Sequence, residues 1–201
     1  MHFIETVEQL ETHYGTPVEA SIVKVARRMT PSYRAWIARS RFCVLSTVGP
    51  EGTDASPRGD DGPVVREIDP GTLALPDWRG NNRIDTLRNI VRDPRASLMF
   101  FVPGSNTVIR VNGRARLTAD TGLCQSFARD GKVPRMVVIL AIEELYFQCA
   151  RAVVRAGLWT GGDQSAGLPT VGEMLADLTQ GRIDGAAYDA EWPGRAAQSL
   201  W

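Results

Sequence analysis

The feature that most constrains this chain is a succession of short strand-like runs, punctuated by turn residues, between positions 42 and 149. Phe42 to Val48 is apolar and β-branched, and Gly49-Pro50-Glu51-Gly52 after it is turn chemistry. Thr53 to Arg58 returns as a second strand. Gly59-Asp60-Asp61-Gly62 turns into Val64 to Ile68, and Pro70-Gly71 turns again before Thr72 to Leu75. Ala96 to Val102, Thr107 to Leu117, Val137 to Ile142 and Leu145 to Cys149 continue the pattern. Runs this short bury an apolar face only by pairing with one another. They predict a mainly β fold with flanking helices, an antiparallel meander closing toward a barrel.

The flanks read as helix. Thr6-Val7-Glu8-Gln9 is a capping box with Gly15 as a stop, and a second helix follows Pro17. Thr30-Pro31 is a cap with proline at the first helical position. Tyr33, Trp36 and Ile37 then fall on one helical face. Within the strands, Arg83 to Arg92 places Ile84, Leu87, Ile90 and Val91 on one side, and Asp93-Pro94 ends that helix. Asp120 caps a short helix reaching Arg129. Thr170-Val171-Gly172-Glu173 is a capping box before Met174, Leu175 and Leu178, and Gly181 stops it. The last twenty residues fit no single pattern. The expectation is one domain of 201 residues, with N-terminal helices over about 1–40 and a C-terminal helical extension over about 165–201.

Composition removes several function classes. Lys plus Arg and Asp plus Glu number 23 each, so no basic excess points to nucleic acid. No apolar run approaches a membrane span, and Met1-His2-Phe3-Ile4-Glu5 is not a signal peptide; a soluble cytoplasmic protein is expected. Three cysteines, Cys43, Cys124 and Cys149, show no metal or disulfide spacing and read as reduced thiols. His2 and His13 are the only histidines, which starves a Ser-His-Asp site or a zinc site. A bound organic cofactor needs no protein histidine, because it performs the electron chemistry itself.

Three clusters are candidates for such a site. In Leu75-Pro76-Asp77-Trp78-Arg79-Gly80-Asn81-Asn82-Arg83 a strand ends, a polar glycine loop follows and a helix begins. Free N–H groups at a helix start attract anions, Asn81 or Asn82 is placed to cap it, and Arg79 and Arg83 suit a phosphate. By spacing alone an ordinary capped helix with solvated arginines explains the segment equally well. Ser56-Pro57-Arg58-Gly59-Asp60 supplies another guanidinium, although a hairpin turn explains it alone. Arg110-Val111-Asn112-Gly113-Arg114 places Arg110, Asn112 and Arg114 on one strand face, which by itself reads as solvated surface. The weight comes from three clusters on neighbouring strands of one small barrel.

Together these motifs resemble the FMN-binding split barrels related to pyridoxamine 5'-phosphate oxidase, and within them a bacterial branch of FMN-dependent proteins of unknown substrate. Asn89-Ile90, Asp93-Pro94, Arg155, Gly157-Leu158-Trp159 and Pro169-Thr170 extend the likeness over most of the chain. The resemblance implies a six-stranded antiparallel split β-barrel, a homodimer and FMN between the subunits. It implies phosphate contacts from Arg79, Asn81, Asn82 and Arg83, with Leu75, Pro76 and Asp77 beside the isoalloxazine ring. Arg58 approaches the phosphate or ring edge, Arg110 and Asn112 come from the partner subunit, and Trp159 covers the flavin. The implied activity is hydride transfer through flavin N5 to or from a small-molecule substrate, with Arg110 or Arg58 stabilising the reduced flavin. No catalytic side chain is singled out. Thr160 stands where an acidic residue is expected, and Trp192 to Trp201 lacks the oxidase's basic substrate motif, so no substrate follows. An F420-dependent reductase, a flavin or haem carrier without turnover, and a barrel that binds nothing remain the alternatives.

Overall fold

Alternating burial along the middle of the chain builds the sheet. The computed structural model describes residues 1–199; Leu200 and Trp201, the end of the expected C-terminal extension, lie outside the described residues. Three short helices lead in: α1 (Val7–Glu11), α2 (Glu19–Val23) and α3 (Pro31–Ile37). Then follow β1 (Phe42–Gly49), β2 (Gly52–Gly59), β3 (Arg66–Asp69), β4 (Thr72–Asp77), α4 (Asp85–Arg92), β5 (Arg95–Phe101) and β6 (Val108–Thr118). The chain continues through α5 (Thr121–Gln125), β7 (Met136–Gln148), α6 (Arg151–Arg155), α7 (Val171–Leu178) and α8 (Gly185–Ser199).

The seven strands form one antiparallel sheet in the order β2-β1-β5-β6-β7-β4-β3. The expected count of six strands is therefore corrected to seven. The barrel is also not closed by a ladder among the described residues, because β2 and β3 end the sheet at opposite edges. The two final strands read from the sequence are one strand. Glu143 bulges out of β7, so that Asn112 pairs with Glu144 but Gly113 with Ile142. A bulge adds a residue and bends a strand without ending it. Gly113 makes this possible: a Cβ there would lie 2.0 Å from the Ala141 carbonyl oxygen.

Period-two burial places Cys43, Leu45, Leu98, Phe100, Ile109, Val111, Leu140 and Leu145 in one core. Each large side chain buried there stabilises the fold by roughly 1.5–3 kcal/mol relative to exposure. Thr30 caps α3 by accepting the Tyr33 N–H, and Tyr33, Trp36 and Ile37 of that helix pack on the same core as expected. β4 is buried on both faces, because Ala74 also packs with Val137 and Cys124 under α5.

Several helix limits differ from expectation. The Gln9 carboxamide accepts the Glu5 N–H rather than that of Thr6, and α1 stops at Glu11, before Gly15. α5 ends at Gln125 rather than at Arg129. In α4, Leu87 and Ile90 are buried, but Ile84 and Val91 are exposed. Thr86 and Asn89 take their places inside, because Thr86 donates to Asp54 of β2 and Asn89 to Thr47 of β1. Thr170 and Glu173 do form the expected reciprocal box on α7, and Gly181, at φ +81°, follows that helix. Among the described residues no helix is long and apolar enough to cross a membrane.

Candidate functional site: an arginine-rich cleft

The two sheet edges curl toward each other and leave an opening. β2 turns Asp54, Ser56 and Arg58 to the side on which its partner β1 presents Thr47, Leu45 and Cys43. An edge strand with a polar inner face cannot fill a hydrophobic barrel, so the interior opens there. Across the gap, β4 ends its inner row Leu73, Leu75 with Asp77. Arg58 Nη1 donates to the Asp77 carboxylate, joining two strands that share no ladder. Its Nε is buried without a hydrogen-bond partner. Burial pushes the neighbouring Cys43 thiol up to about 12, opposed by the Arg58 charge.

Around this opening lies a cleft of about 1250 Å³. Its walls come from the end of β2, the end of β4, the loop 78–84, the outer flank of α4, the start of β7 and one face of α8. Seven arginines and two aspartates line it, with no lysine or glutamate. In a chain of zero net charge, that is a local cationic cavity suited to an anionic ligand.

Most of these arginines are already paired. Arg83 binds Asp85, Arg92 binds Glu51, and Arg195 binds Glu191 at 2.9 Å. Arg135 Nη1 donates to the side-chain oxygen of Asn82 at 2.9 Å, a neutral partner that leaves its charge uncompensated. Arg79 forms no ion pair among the described residues. Asp60 has no spare charge either: it accepts from Arg129 at 2.8 Å, from the Trp78 indole at 3.1 Å and from the Gly62 N–H at 3.2 Å. It thereby fixes the entry to the loop.

The loop is shaped by its asparagines. Asn81 accepts the Arg83 N–H at 3.0 Å, and Asn82 occupies a left-handed conformation at φ 61°. The expectation that one of them caps α4 is corrected: the helix begins at Asp85 after Ile84, with no side-chain cap. Asp85 in the first turn and Asp54 on Thr86 place carboxylates at the helix start. The anion-attracting groups are therefore the guanidinia of the loop, not the helix N-terminus.

Of the residues singled out by sequence, Arg58, Leu75, Pro76, Asp77, Arg79, Asn81, Asn82 and Arg83 come together on this cleft. Arg110, Asn112 and Trp159 do not line it in the single chain. Arg110 lies over the Tyr146 ring at 5.6 Å with its Nε buried and unpartnered, and Asn112 donates to Glu144 at 2.7 Å. Trp159 donates its indole N–H to the Ser105 carbonyl at 2.6 Å. The sequence reading missed Arg135 and the α8 residues Tyr188, Trp192 and Arg195. The signal for α8 was the spacing of four and three residues, which places all three on one helical face.

Residues 29–149, more than half of the chain, match the family model described as pyridoxamine 5'-phosphate oxidase. No curated protein matches the chain in sequence. Among solved structures, a variant of HupZ from Group A Streptococcus is similar at TM-score 0.50 and 18% identity, covering 59% of this chain and 98% of that one. A candidate pyridoxamine 5'-phosphate oxidase from Lactobacillus delbrueckii reaches TM-score 0.48 and 21% identity, over 60% of this chain and 95% of that one. An FMN-binding protein from Syntrophomonas wolfei reaches 0.43 and 17%, over 58% and 83%. The likeness to HupZ shows the fold alone. α6, α7 and α8 lie beyond the matched residues.

Proposed function

The chain belongs to the pyridoxamine 5'-phosphate oxidase family, and from that premise we propose that it is an FMN-binding flavoprotein oxidoreductase acting on a small molecule. The observation that carries the reading is the cationic cleft, with Arg79 and Arg135 lacking any carboxylate partner beside the loop 78–84. Guanidinium groups bind phosphate through paired, charge-assisted hydrogen bonds. Arg79, Arg83 and Arg135 would hold the FMN phosphate, with Asn81 and Asn82 shaping the loop around it. The buried Nε of Arg58 is a donor without a protein acceptor at the same cleft, which a polar cofactor would satisfy. Leu75 and Pro76 give the cleft an apolar wall for a flat ring. The residues present therefore fit the group.

When bound, FMN supplies hydride transfer at its N5 atom. The protein's part is to hold the cofactor, exclude water and place positive charge near the ring. Arg58 is fixed for that last role by Asp77, which restrains its guanidinium at the mouth of the opening. No side chain is assigned as acid or base. In the proposed homodimer, Arg110 and Asn112 on the outer face of β6 serve the partner subunit's cofactor, and Trp159 belongs to the same shared surface. The cytoplasm is the proposed location, and one domain the proposed organisation.

The test is the visible absorption spectrum of the purified protein, with mass spectrometry of any released cofactor. FMN near one per chain is the expected result. A colourless protein that gains no flavin signal on titration with FMN overturns the reading. Released F420 or haem would overturn the choice of FMN while keeping a cofactor-binding barrel.

A further inference from the structure

We propose that α8 is the ring-binding wall of the cleft, and that Trp192 stacks on the isoalloxazine of bound FMN. The inference rests on the flavin reading above and deepens it. The helix lies outside the residues that match the family model.

α8 is positioned by α7. The two helices cross so closely that a Cβ on Gly172 would lie 2.1 Å from the Gly185 carbonyl oxygen, and one on Gly185 2.4 Å from that of Gly172. Asp189 accepts the Gly172 N–H at 2.9 Å. The hairpin is thus held by its own backbone contacts, and α8 presents one face as a unit. That face carries Tyr188, Trp192, Arg195 and Ser199, all of which line the cleft.

Within the face, the aromatic rings are not equivalent. Arg195 lies over the Tyr188 ring at 4.1 Å, donates to the Tyr188 carbonyl at 2.8 Å and binds Glu191. One face of Tyr188 is therefore taken. Trp192 is 58% exposed, and its indole N–H makes no hydrogen bond among the described residues. A large aromatic left half bare inside a cleft, on a helix held from behind, is suited to stack on a flat ring. The apolar end of β4 and the guanidinia of the loop complete a site for a planar group with an anionic tail.

The test is a fluorescence titration of FMN into the wild type, W192A and W192F, with the visible spectrum of each bound flavin. W192A should bind about fivefold more weakly, and its flavin spectrum should move toward that of free FMN. W192F keeps a ring and should stay within about twofold of wild type. Thermal melting should be unchanged, because Trp192 is largely exposed. W192A with wild-type affinity and spectrum overturns the stacking role and leaves the flavin reading intact. Equal losses in W192A and W192F also overturn it, because a stacking ring was retained in one. A wild type that takes up no FMN overturns both readings.

Discussion

Arg135 reaches the candidate site from a position that nothing in the linear sequence ties to the loop it serves. The register of β4 on β7 pairs Asp77 with Met136, so Arg135 falls beside the start of that loop. The contiguous residues from Leu75 to Arg83 were legible because strand, turn and helix start follow one another there. Arg135 was not, because only the ladder brings it across. R135A is expected to weaken FMN binding about tenfold and leave riboflavin, which lacks the phosphate, nearly unchanged. Equal losses for both ligands in a fluorescence titration would remove Arg135 from the phosphate seat. A second residue-scale expectation concerns the thiols. Cys149 is exposed, Cys124 is buried, and Cys43 is buried with its thiol pushed up to about 12. In the native protein at neutral pH, Cys149 alone should react quickly with a disulfide reagent, because the thiolate is the reactive form. Fast labelling of more than one thiol, read by mass spectrometry, would contradict this burial.

The strands were legible as elements because apolar and polar residues alternate with period two, and most of their limits hold within a residue or two. β7 was not, because Glu143-Glu144 looks like an interruption when the partner strand is unknown. The bulge resolves it, and Gly113 is its counterpart on β6. G113A should therefore destabilise the fold by about 2 kcal/mol or more, since its methyl group meets backbone rather than a movable side chain. An unchanged denaturation midpoint would mean that the two strands separate more easily than this packing implies. α8 fell inside the expected helical extension, but its limits were not legible, for a different reason. Pro193 lies inside it, and an internal proline removes a helical hydrogen bond, so the segment carries a local signal against its own structure. The burial of Thr86 and Asn89 in place of Ile84 and Val91 has the same origin in tertiary context: the polar pair finds partners on β1 and β2.

On the whole-molecule scale, the face of the sheet opposite the core has a coherent composition. Register places Val44, Met99, Arg110 and Tyr146 in one row, and Ser46, Ser97, Asn112 and Glu144 in the next. These side chains are half-buried, and Arg110 retains a buried donor without a partner. Such a surface is what the proposed homodimer would cover. Sedimentation should give twice the 22.0 kDa of one chain, and a monomer that still holds flavin would refute the shared site. The general architecture was legible, but closure was not. Pairing partners depend on which edges meet, and an ion pair between Arg58 and Asp77 stands where a continuous ladder was expected.

The place of β7 in the sheet also sets an order in time. β3 and β4 pair only with each other and with β7, yet β7 begins at Met136, long after β4 ends at Asp77. At about 5–20 residues per second, a ribosome needs several seconds to make the intervening chain. Throughout that interval the edge of β4 that β7 will cover stays open, and the loop after it lacks Arg135. A nascent chain arrested before Met136 should accordingly be cut by protease between positions 60 and 84, and one carried past Gln148 should resist. Equal resistance of the two would mean that the hairpin finds a temporary partner while it waits.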